Sequence, residues 1–78
     1  MVRIPVYLRD MRDAKHLVQA AEKCEKDVDL VCGRYLVDAK SILGVFSLPV
    51  FDEVELQVDE KEEAALRERL EQENLLRK

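Results

Sequence analysis

Surplus basic charge is what this 78-residue chain most clearly lacks: 13 lysines and arginines stand against 17 aspartates and glutamates, a net charge of −4 at pH 7. With no basic stripe to neutralise phosphates, nucleic acid is not an expected partner. Long apolar runs are missing as well. The opening Met1-Val2-Arg3-Ile4-Pro5 has neither the apolar core nor the cleavage site of a signal peptide, so a soluble, cytoplasmic protein that enters no membrane is expected. Cysteine is scarce, and the spacing of Cys24 and Cys32 fits no zinc or redox motif; in a reducing cytosol both read as small core residues. Glycine is limited to Gly33 and Gly44, which leaves no glycine-rich phosphate loop. The sequence also offers no nucleophile with an adjacent base and no paired carboxylates, so it reads as non-enzymatic, with no cofactor and no metal expected.

What is present fits one small domain over residues 1–78, large enough for a single core on one side of a sheet but too small for a deep cleft. Val2, Ile4, Val6 and Leu8 alternate with Arg3, Pro5, Tyr7 and Arg9, the pattern of a strand with one buried face. From Ala14 the period becomes helical: Ala14, Leu17, Val18 and Ala21 share a face, and the helix is expected to end near Cys24 to Lys26. Val28, Leu30 and Cys32 alternate again, and after Gly33-Arg34 so do Tyr35, Val37 and Ala39, which predicts a hairpin with Gly33 supplying a positive backbone dihedral.

A short helix follows over Ile42 to Leu48, closed by Pro49. Val54, Leu56 and Val58 form a fourth strand, with Glu53, Glu55 and Gln57 facing water. A last helix is expected after Asp59, capped by that residue while Glu62 reaches back, with Ala65, Leu66 and Leu70 inward. Glu63 with Arg67 and Glu73 with Arg77 lie four apart, and the charged stretch from Glu73 to Lys78 is expected to fray or to extend beyond the sheet. Strand, helix, strand, strand, helix, strand, helix in so short a chain predicts an α+β open-faced sandwich: a four-stranded antiparallel sheet with three helices on one face.

Ser41 stands where alternation turns into the short helix. Its hydroxyl can cap that helix, and the same N–H groups would welcome a phosphate. The run Lys40-Ser41-Ile42-Leu43-Gly44-Val45-Phe46-Ser47-Leu48 resembles the segment around the regulatory serine of HPr, the small phosphocarrier of the bacterial sugar phosphotransferase system. The order of elements is similar too. In that family a phosphorylatable histidine opens the first helix, and it precedes the serine by the interval that here separates Asp10 from Ser41. The resemblance therefore puts Asp10 at the histidine's place, Arg12 at the place of the arginine that contacts the phosphoryl group, and Asp13 at that of a proline.

A histidine ring nitrogen is a good nucleophile near pH 7; a carboxylate is weaker, and its acyl phosphates usually form beside a bound divalent metal. Asp10 reads first as a helix cap or solvated charge. His16, the only histidine, lies inside the first helix, past the relay position, and reads as an ordinary exposed or half-buried residue. By resemblance, Arg12, Lys40, Ser41, Ile42, Leu43 and Phe46 form a docking face for protein partners: an HPr kinase/phosphorylase, a catabolite-control repressor or Enzyme I. The first expectation is thus a regulatory or adaptor protein switched by phosphorylation at Ser41. The alternatives are an unorthodox phosphocarrier using Asp10, and an interaction domain that is never modified.

Overall fold

The computed structural model describes residues 1–48 and 54–77, so Pro49, Glu53 and Lys78, which entered the expectations above, lie outside the described residues. Strand β1 (Val2–Val6) leads into helix α1 (Met11–Glu22), then β2 (Asp29–Cys32), β3 (Tyr35–Asp38), α2 (Ile42–Phe46), β4 (Val54–Val58), a 3₁₀ turn at Glu60–Glu62 and α3 (Glu63–Gln72). The sheet order is β1-β4-β2-β3, with every neighbouring pair antiparallel. β4 therefore sits between β1 and β2, and β1 and β3 are the edges. The expected open-faced α+β sandwich is the fold observed.

Alternation explains which side of the sheet is covered. Ile4, Val6, Leu30, Leu56 and Val58 are buried, and they meet Leu17, Ala21, Val45, Leu66 and Leu70 from the helices. In register, Leu56 lies opposite Ile4 on one side and Leu30 on the other, so one layer of aliphatic side chains runs across three strands. The hairpin turns as the sequence predicts: Cys32 pairs with Tyr35, and Gly33 has φ 58°. Positive φ at the first central residue alone is the type II′ pattern, whose twist matches that of the strands.

Several expectations are corrected. α2 ends at Phe46, two residues early, with Ser47 as its C-cap. Glu62 does not reach back to its own helix; its carboxylate accepts from the backbone N–H groups of Glu25 (2.7 Å) and Lys26 (3.0 Å), closing the loop after α1. These two bonds, Lys26 first, hold the Glu62 carboxyl below its ordinary pKa. Ala65 is exposed, leaving Leu66 and Leu70 as the buried residues of α3. Of the two pairs, Glu63–Arg67 forms, with Nε 2.8 Å from Oε2, whereas Glu73 and Arg77 fall past the helix end.

The tail through Arg77 does not fray. α3 closes in a Schellman motif, with Asn74 at φ 58°, Asn74 N–H donating to Glu71 O and Leu75 N–H to Leu70 O. Leu75 is buried, and the chain then runs along β1: Tyr7 N–H donates to Leu75 O and Arg77 N–H to Pro5 O. Because the Pro5 carbonyl points to the tail, the ring nitrogen faces away from β4, and no ladder bond is lost. The Arg77 guanidinium donates to Val6 O and Val54 O.

Candidate functional site

The loop between β1 and α1 is organised by two carboxylates. Asp10 is the N-cap of α1, with extended backbone (φ −156°, ψ −175°), and its Oδ1 accepts from Asp13 N–H at 2.9 Å. Asp13 sits one turn in, 7% exposed, and accepts three bonds from Arg9: backbone N at 2.9 Å, Nε at 2.7 Å and Nη2 at 3.4 Å. The same guanidinium donates to Asn74 O and lies over the Tyr7 ring, 4.7 Å from its centroid. Arg9 thus ties the helix entry to the turn after α3.

Burial pushes the Asp13 carboxyl up, but the Arg9 side-chain and backbone hydrogen bonds together outweigh it and leave the group below its ordinary value of 3.8. A depressed carboxyl adds stability that is complete above the unfolded pKa and is lost as pH falls through the folded one. Asp13→Asn is therefore expected to cost about 1–3 kcal/mol at neutral pH, since it keeps the shape but loses the charge-assisted bonds. Its cost should shrink below about pH 4, as seen in urea midpoints measured across the acid range.

Asp10, Arg12, Asp13, His16 and Glu73 line one hollow together with Arg9. His16 is half-buried and places Nδ1 3.1 Å from Glu73 Oε2, joining α1 to the end of α3. No group of three or more metal-ligating side chains occurs among the described residues, so His16 and Cys24 do not form part of one. Cys24 is buried as expected, and burial raises its thiol pKa; Cys32 is only half-buried.

The second region is built on the turn into α2. Ser41 has extended backbone (φ −108°, ψ 112°), and its Oγ accepts from Gly44 N–H at 3.2 Å, the capping role read from the sequence. Asp38 O accepts from Ser41 N–H, and Asp38 Oδ1 accepts from Lys40 N–H. The Lys40 ammonium is engaged as well: Nζ donates to Cys24 O at 2.8 Å, a cation at the C-terminal side of α1. On α2 itself Val45 is buried, Ile42 and Phe46 are half-buried against the core, and Leu43 is 78% exposed.

The expected docking residues are therefore not equivalent. Lys40 and Ile42 border a groove against Lys15, Gln19 and Glu22 of α1, while Arg12, exposed, borders the Asp10 hollow nearer the start of that helix. Leu43 projects furthest. Arg9 and Glu73 are site members that the sequence did not announce; the i, i+4 spacing of Arg9 and Asp13 across a helix start was the available signal.

A four-stranded sheet in this order, backed by three helices, with a capped helix start at each of the two loops, defines the phosphocarrier type of open-faced sandwich. Residues 9–73 match the family model described as PTS HPr component phosphorylation site. The chain belongs to the HPr family of the phosphotransferase system, whose members are phosphocarriers and not enzymes. No curated protein matches the chain. No helix among the described residues is long and apolar enough to cross a membrane.

Proposed function

We propose that residues 1–78 act as one HPr-like domain, a cytoplasmic, non-enzymatic regulatory or adaptor protein that does not relay phosphate and is switched by phosphorylation at Ser41. The observation that carries this reading is the use of Asp10: its carboxylate takes the Asp13 N–H at the start of α1, where a phosphoryl group would need free donors. A second carboxylate, Asp13, is held one turn on by Arg9, whose guanidinium is thereby committed to Asp13 and Asn74 O and not free for an incoming phosphate. This favours the regulatory reading over an Asp10 phosphocarrier.

Around Ser41 the support is of another kind. The hydroxyl already sits at the start of a helix, beside the highly exposed Leu43 and the groove bordered by Lys40 and Ile42. A phosphate there adds nearly two negative charges at the rim of an apolar projection, enough to change which partner docks. HPr kinase/phosphorylase is the proposed modifying partner and a catabolite-control repressor the proposed target, with Arg12, Lys40, Ile42, Leu43 and Phe46 in the docking face. Treatment with Enzyme I and phosphoenolpyruvate is expected to leave the chain without an acid-labile or hydroxylamine-sensitive phosphoryl adduct. An adduct mapped to Asp10 would replace this reading with the phosphocarrier one.

A further inference from the structure

β3 is an edge strand that carries exposed apolar residues, Tyr35 (52%) and Leu36 (59%), between two exposed charges of opposite sign, Arg34 and Asp38. The direction of its hydrogen bonds follows from the hairpin. Cys32 pairs with Tyr35 across the two-residue turn, Leu30 pairs with Val37, and Ala39 N–H donates to Val28 O at 2.8 Å. By alternation, Tyr35, Val37 and Ala39 address β2, while Leu36 points both of its backbone groups to the open edge; Asp38 faces the same way, with its carbonyl oxygen already accepting from Ser41 N–H.

We infer that this edge pairs with the β3 edge of a second copy of the chain, antiparallel and centred on Leu36. In that register the two Leu36 residues exchange both backbone hydrogen bonds across the two-fold axis, and Tyr35 lies opposite Val37 of the second copy. Arg34 falls opposite Asp38 of the second copy, and Asp38 opposite its Arg34. The strand is thus self-complementary in charge, as an isologous contact requires.

A feature of the single chain points the same way. On β2, Asp29 is the register partner of Asp38, so two carboxylates face each other across the hairpin, an unfavourable cross-strand pair. Among the described residues, Asp38 Oδ1 accepts a neutral backbone N–H, from Lys40, and no cation. Arg34 of a second copy supplies the missing cation. Leu36, whose register partner on β2 is Val31, would meet its own counterpart and join two such apolar pairs across the axis.

Four-residue strands bury well under the roughly 1,200 Å² of a stable interface, so the dimer is weak, with Kd between roughly 100 μM and a few millimolar, and exchanges rapidly. Amide NMR spectra of the full chain, recorded from micromolar to millimolar concentration, are expected to show concentration-dependent shifts centred on Arg34, Leu36 and Asp38. Arg34→Asp and Asp38→Arg should each weaken self-association about tenfold, because each places like charges opposite one another. Mixed together, the two variants should associate, since every opposed pair is then of opposite sign. Leu36→Arg, at an exposed position, should abolish the shifts without unfolding the chain. Spectra that do not change up to millimolar concentration would overturn the inference. So would shifts centred elsewhere, retention of the dimer by Leu36→Arg, or folded charge variants that fail to associate when mixed.

Discussion

Leu56→Ala is expected to lower stability by about 3–4 kcal/mol, a large effect for a single truncation in so small a core. Leu56 has no exposed surface and lies mid-strand in β4, between Ile4 and Leu30. Truncation leaves a cavity on a strand whose backbone is fixed by ladder bonds on both sides, so the site collapses poorly. A domain of this size has a total stability of roughly 4–12 kcal/mol, and the loss therefore takes about a quarter or more of it. Urea denaturation should show the midpoint falling with little change in slope. A cost below about 1 kcal/mol would mean that β4 is not the central strand of the core.

Leu43→Asp should have the opposite profile. The side chain is 78% exposed in the first turn of α2, where a carboxylate is tolerated by the helix dipole, so stability should change by less than about 0.5 kcal/mol. Binding of the chain, phosphorylated at Ser41 as proposed, to the proposed catabolite-control repressor should nonetheless weaken by roughly 2 kcal/mol or more, about thirtyfold, because the residue is the apolar centre of the proposed docking face. Ile42→Ala and Phe46→Ala cannot separate fold from docking in this way, since both side chains also pack on the core. Titration calorimetry beside thermal melts of the same variants distinguishes the two. Unchanged affinity for Leu43→Asp would move the docking surface away from α2.

The features that could be read from the sequence are those set by near neighbours. Alternation from Val2 to Leu8 located β1, the Leu17, Val18 and Ala21 face located α1, Gly33 marked the turn, and Asp10 and Ser41 occupy the caps that their side chains suit. What was not legible depends on contacts distant in sequence. Glu62 looks like a capping-box residue by its spacing, but the N–H groups of Glu25 and Lys26 lie within reach and win its carboxylate.

The tail behaves in the same way. Glu73 to Arg77 carries too little apolar periodicity to announce structure, yet the Asn74 turn and one buried leucine, Leu75, bring it against β1. Asp13 reads as a surface residue of a helix's first turn, and only the fold shows it covered and held by Arg9. For the candidate site, the family resemblance singled out Asp10, Arg12 and Ser41. It could not say that Lys40 is engaged by Cys24 O, or that Leu43 projects while Ile42 and Phe46 turn inward.

The proposed switch is tested most directly by incubating the protein with ATP and an HPr kinase, then recording intact mass and mapping the modified residue, with Ser41→Ala alongside. A single phosphate on Ser41 in the wild-type chain and none in the variant is the expected outcome. A wild-type chain left unmodified under conditions that label an ordinary HPr, or a phosphate mapped to another residue, would contradict the switch.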